Sequence, residues 1–68
     1  MQIDYKLEQE YIELYKLIKF LNLVDSGAEA KLLIANEMVT RNGEIETRKR
    51  AKIRDNEIIQ VGNVTIKT

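Results

Sequence analysis

Asn42-Gly43 sits between two β-prone runs, Met38-Val39-Thr40-Arg41 and Glu44-Ile45-Glu46-Thr47. Both residues tolerate the positive φ that a two-residue type I′ turn demands, which makes this dipeptide the strongest short-range hairpin signal. Such a turn fixes register, so Arg41 must face Glu44 and Thr40 must face Ile45. A second signal, Gly62-Asn63, separates Ile59-Gln60-Val61 from Val64-Thr65-Ile66. That hairpin would turn Ile59, Val61, Val64 and Ile66 to one face, against whatever covers the sheet.

The first half of the chain obeys other periods. Met1, Ile3, Tyr5 and Leu7 alternate with Gln2, Asp4 and Lys6, which predicts a short strand. From Glu13 the spacing changes: Leu14, Leu17, Ile18 and Leu21 form one stripe of a helix near residues 13–22, with Lys16 and Lys19 outside it. Ser26-Gly27-Ala28-Glu29 fits a capping box for a second helix over about 27–36. There the Ser26 hydroxyl would accept from a first-turn amide and Glu29 would reach back to the Ser26 amide. Strand, helix, helix and several antiparallel strands make an α+β domain. Sixty-eight residues make a single domain, residues 1–68, without room for a second core.

Composition removes several function classes. There is no cysteine, hence no disulfide framework, thiol nucleophile or thiolate metal site, and no histidine, the commonest neutral-pH base and metal ligand. Gly27, Gly43 and Gly62 are each explained by a turn or a helix entry, and none belongs to a phosphate-cradling loop. No carboxylate pair is bracketed by apolar sequence that would raise a pKa. We therefore expect no catalysis, cofactor, metal or small-molecule substrate. The first ten residues do not resemble a secretory signal, and the apolar run Leu32-Leu33-Ile34-Ala35 is far short of the roughly 20 residues of a membrane span. A cytoplasmic protein that does not enter membranes is expected.

Net charge is zero, but it is unevenly spread. Through residue 37, four lysines face seven acids, a net of −3; from residue 38 on, seven cations face four acids, a net of +3. Arg48-Lys49-Arg50-Ala51-Lys52-Ile53-Arg54 holds five positive charges in seven residues. Such a run is a candidate phosphate-contacting stripe. Taken alone, a charge run is more often a solvated stretch that protects a sheet edge. Lys31, near the amides of Ser26-Gly27, would suit a phosphate at a helix N-terminus, although taken alone such residues are more often an exposed helix lysine and a plain cap. Tyr5, Tyr11, Tyr15 and Phe20 could stack on bases, but small domains commonly spend aromatics on the core.

The run Leu14 to Lys52 resembles the S4 RNA-binding domain, known as the αL motif. The family pattern stands here as Leu14-Tyr15-Lys16-Leu17-Ile18-Lys19-Phe20-Leu21, Asp25-Ser26-Gly27-Ala28-Glu29-Ala30-Lys31 and Val39-Thr40-Arg41-Asn42-Gly43. Ser26-Gly27 and Glu46-Thr47-Arg48-Lys49-Arg50 make it most similar to the stand-alone bacterial members, the YbcJ/YaaA-like proteins. The resemblance implies a two-helix αL motif packed on a small twisted antiparallel or mixed sheet of about 4–5 short strands. It implies structured RNA, ribosomal or transfer, as the partner of a ribosome-associated monomer. Ser26, Gly27, Lys31, Arg41, Arg48, Lys49, Arg50 and Lys52 would form the RNA-binding surface. The helix-ending glycine common in the family is replaced by Asn36-Glu37, and Asn36 is expected to take the left-handed cap. The alternative is a protein-interaction module on an αL scaffold that has lost RNA binding. The two part on whether Lys31 joins the 48–54 run in one positive surface or Glu37, Glu44 and Glu46 interrupt it.

Overall fold

The computed structural model describes residues 1–68. In chain order the elements are β1 (Gln2–Asp4), β2 (Ile12–Glu13), α1 (Leu14–Phe20), α2 (Gly27–Ala35), β3 (Val39–Arg41), β4 (Glu44–Ile45), β5 (Lys52–Ile53), β6 (Ile58–Val61) and β7 (Val64–Lys67). Five strands form a mixed sheet in the order β1-β7-β6-β3-β4, and β2 pairs with β5 in a separate two-stranded ribbon.

Both hairpins form in the expected register. Arg41 faces Glu44 and Thr40 faces Ile45. Asn42 (φ 52°) and Gly43 (φ 88°) both take the positive φ of a type I′ turn. In the second hairpin Val61 faces Val64 and Ile59 faces Ile66, while only Gly62 (φ 61°) takes positive φ. The amino-terminal strand is shorter than its alternation suggested. Ile3, Tyr5 and Leu7 are half-buried as the pattern requires, but pairing with β7 stops at the Tyr5 amide, which donates to the Lys67 carbonyl. The pairing is parallel, joining Gln2 to Thr65 and Asp4 to Lys67.

Both helices end in the same device. After α1, the amide of Leu23 donates to Ile18 and that of Asn22 to Lys19, with Asn22 at φ 59°. After α2, Met38 donates to Leu33 and Glu37 to Ile34, with Glu37 at φ 62°. Each is a Schellman motif with the left-handed residue one past the cap. The left-handed residue is therefore Glu37 and not Asn36, whose φ is −89°. At the other end of α2 the Ser26 hydroxyl accepts from the Glu29 amide, whereas no return bond from the Glu29 side chain forms. Half of the expected capping box exists. Helix α1 starts at Leu14 because Ile12 and Glu13 are drawn into the ribbon with Ile53 and Lys52.

The core is entirely aliphatic. Leu14, Leu17 and Ile18 of α1 and Ala30 and Ile34 of α2 meet Val39, Ala51, Ile53, Ile59 and Ile66 from the strands and the β5 approach. No buried side-chain nitrogen or oxygen lacks a hydrogen-bond partner. A core of this size typically leaves only about 3–5 kcal/mol of net stability. Leu17→Ala, which removes a fully buried side chain, is expected to cost about 2–5 kcal/mol and leave a largely unfolded population. Leu32→Ala, at a position 61% exposed, should stay within about 0.5 kcal/mol. Urea titrations followed by circular dichroism would separate the two.

Candidate nucleic-acid interface

The basic run is held, not dangling. Its carbonyls at Lys49 and Ala51 accept the amides of Tyr15 and Leu14, so the otherwise partnerless first turn of α1 is satisfied by the loop itself. Ala51 and Ile53 are buried, and the Lys52 backbone stands opposite that of Glu13 in the ribbon. The intervening cations therefore point outward from a fixed backbone: Arg48, Lys49, Arg50, Lys52 and Arg54 are all exposed.

Two carboxylates pin the ends of this loop. Glu46, nearly buried, accepts from the Arg48 amide (3.2 Å) and from the Arg48 guanidinium (3.0 Å). At the far end Glu57 accepts from the Arg54 amide (2.7 Å) and the Asn42 side chain (3.2 Å). Arg41 joins them. Its Nε and Nη2 grip Glu57, its Nη1 reaches Glu46 at 3.3 Å, and Nη2 also donates to the Lys52 carbonyl at 2.9 Å. Thr68 closes the same corner, its hydroxyl donating to the Arg54 carbonyl and accepting from the Glu57 amide. Arg41, expected on the RNA-binding surface, has four of its five N–H groups engaged inside the protein. It braces the loop, although it still lines a shallow depression with Arg48, Arg50, Ala51 and Lys52.

Burial alone would raise the pKa of Glu57, but Arg41, the Arg54 amide and Asn42 outweigh it and the net shift is downward. The hydrogen bond from Arg48, helped by the Arg48 amide and Arg41, lowers Glu46 from 4.5 to about 2. Below pH 4.5 the unfolded chain takes up a proton at this carboxyl more readily than the folded chain. The contribution of Glu46 is thus complete above about pH 4.5 and is lost as pH falls toward 2.

Several of the other expected residues meet at Tyr15, which the sequence marked only as one of four aromatics able to stack on bases. The Tyr15 ring lies 4.7 Å from the Lys31 ammonium, 5.4 Å from the Arg50 guanidinium and 5.9 Å from the Lys16 ammonium. Gly27 borders the same ring, 3.8 Å from where its Cβ would stand. Tyr15 thus joins the start of α2 to the basic loop. A second ring, Tyr11, lies 5.0 Å from the Lys52 ammonium and 5.6 Å from the Arg54 guanidinium. Each contact is a cation–π arrangement. Ser26 is exposed, with its hydroxyl spent on the cap.

Acidic residues lie among these cations. Glu13 pairs with Lys16 at 3.1 Å and Arg50 at 3.5 Å, and Glu10 pairs with Arg54 at 3.0 Å. Glu46 is turned inward. Lys31, Lys49 and Lys52 pair with no carboxylate. No group of three or more metal-capable side chains occurs, and no helix is long and apolar enough to cross a membrane.

Glu46→Gln is expected to lower stability at pH 7 by about 1–3 kcal/mol, because it removes the charged acceptor shared by Arg48 and Arg41. It should also flatten part of the stability loss between pH 4.5 and 2. Melting temperatures of both proteins from pH 7 to pH 2 would show this; parallel curves would contradict the assignment.

The S4 domain family matches residues 5–68 of this chain. YbcJ of Escherichia coli K12 and YbcJ of Shigella flexneri are each 46% identical over 43 residues, which is 63% of this chain and 61% of theirs. The match thus spans less than two thirds of those relatives' length. The solution structure of E. coli YbcJ, described as revealing an αL motif involved in RNA binding, superposes with a TM-score of 0.66. It is 30% identical, with 98% of this chain and 86% of that one covered. The 30S ribosomal protein S4e from Thermoplasma acidophilum has the same fold, with a TM-score of 0.70 and 22% identity over 85% of this chain and 31% of that chain.

Proposed function

The chain belongs to the S4 domain family, and on that premise we propose that it is a non-catalytic module, acting over residues 1–68, that binds structured RNA. The observation that carries this is the convergence of Lys16, Lys31 and Arg50 on Tyr15, which makes one cationic face of the α2 start and the tethered loop. Lys49 and Lys52 extend that face along the loop.

Phosphates are recognised by such a face through ammonium and guanidinium donors, and RNA helices are read largely by shape and backbone. Gly27 and Ser26 border it at the start of α2, while Arg48 serves both the surface and the Glu46 brace. Arg41 contributes by holding the loop. The RNA would be ribosomal or transfer RNA, bound in the cytoplasm by a monomer associated with ribosomes, with no cofactor, metal or small-molecule substrate involved.

If four or five cations neutralise phosphates, affinity falls with a log–log salt slope of about −3 to −4. The test is fluorescent hairpin RNA titrated across a salt series with the natural protein and a Lys31→Gln, Lys49→Gln, Arg50→Gln variant confirmed folded. Arg48 is left in place because removing it would also disturb Glu46. Binding by the natural protein, with at least tenfold loss and a slope flatter by about 2–3 in the variant, supports the proposal. Equal binding by both proteins, or a salt-insensitive affinity, overturns the cationic-face mechanism. Absence of binding at low salt across several structured RNAs favours the protein-interaction alternative.

A further inference from the structure

The core leaves an aromatic side chain outside it. Phe20, at the end of α1, is 65% exposed. Its one aromatic neighbour is Tyr5, which meets it edge-on at 5.6 Å between centroids and an interplanar angle of 69°. That contact steadies the ring without covering it. An exposed phenylalanine in so small a domain gives up core area that the chain needs.

The surroundings of Phe20 say what it suits. It lines an open depression with Tyr15, Lys16, Lys19, Asn22 and Gly27. Two lysines, Lys16 and Lys19, line it, and Asn22, in the left-handed turn that ends α1, is exposed beside them. Gly27 adds no side chain to the depression; a Cβ there would meet the Tyr15 ring at 3.8 Å and the Lys19 stem at 3.9 Å. Tyr15 belongs both to this depression and to the cationic face. The two are therefore continuous.

We infer that this depression is a subsite for one unpaired nucleotide, its base stacked on Phe20 and its phosphate near Lys16 and Lys19. The inference rests on the RNA-binding function proposed above and narrows its ligand to a helix next to a single-stranded nucleotide. The chemistry is complementary on each count. A base offers a π-face to the phenyl ring, donor and acceptor edges to the Asn22 amide, and an attached anion to the two lysines. A fully paired helix buries its bases in the stack and could offer only the last of these.

The experiment compares a blunt RNA hairpin with the same hairpin bearing a short unpaired 3′ or 5′ extension. Affinity is measured at fixed salt for the natural protein, Phe20→Leu and Phe20→Tyr. Leucine keeps an apolar side chain at this exposed position but removes the ring; tyrosine restores the ring. We expect at least one extension to tighten binding by the natural protein roughly 5- to 100-fold. That gain should vanish in Phe20→Leu and return in Phe20→Tyr, with blunt-hairpin affinity unchanged throughout. An abasic residue in the extension should abolish the gain as well. Blunt-hairpin binding with no gain from either extension, or a gain that survives Phe20→Leu, overturns the subsite and leaves the RNA-binding proposal standing. Failure of the natural protein to bind any of these RNAs at low salt overturns both.

Discussion

A single guanidinium organises the surface half of this domain. Arg41 holds Glu57, Glu46 and the Lys52 carbonyl together, and through the two carboxylates it fixes both ends of a loop carrying five positive charges. Such a loop would repel itself if its geometry were left to solvent. Ion pairs of this kind are not dependable sources of net stability, because desolvation offsets much of the attraction. What they supply here is position. Each carboxylate accepts a backbone amide of the loop as well as a side chain, so the path of the chain is fixed by directional bonds at both ends.

The same arrangement reconciles a neutral protein with a cationic face. The acids closest to the basic run are spent on its arginines: Glu46 on Arg48, Glu13 on Arg50 and Glu10 on Arg54. Glu13 also pairs with Lys16, whereas Lys31, Lys49 and Lys52 are left without a carboxylate partner, and Lys31 and Lys52 lie over tyrosine rings. Exposed pairs such as Glu10–Arg54 are weak, typically under about 1 kcal/mol. They lower the field of the face more than they bind its side chains. Charge here is set by geometry, and the total over the chain conceals it.

Packing decides where the aromatic residues can go. One layer of short helix on one small sheet leaves a narrow gap, and leucine, isoleucine, valine and alanine fill it completely. The tyrosines and the phenylalanine are displaced to its rim, Tyr5 and Tyr15 partly buried against it and Tyr11 and Phe20 exposed. On the rim they meet lysine and arginine. The juxtaposition of rings with cations is thus a consequence of a core too thin to take them, and it lies on the side of the molecule where the loop is tethered to α1.

Features set by local chemistry could be read along the chain. Asn42-Gly43 and Gly62-Asn63 set two hairpins and their registers, because positive φ and a period of two leave no alternative pairing. Ser26 began α2 through a bond spanning three residues, and the stripe of Leu14, Leu17 and Ile18 faced the core as its spacing required. Even the αL pattern is carried by residues close in the chain. Other features depend on contacts between distant segments. The parallel pairing of β1 with β7 and the two-residue ribbon of β2 with β5 join segments far apart, and neither leaves a local mark. Glu37 took the left-handed position over the better-suited Asn36 because the last turn of α2 ends one residue later than side-chain preference indicates. That Arg41 braces the loop was not legible in the sequence, since its partners come from residues 46, 52 and 57. Tyr15 became the junction of the site because α2 packs its first turns against α1, a contact between surfaces that no spacing along the chain can express.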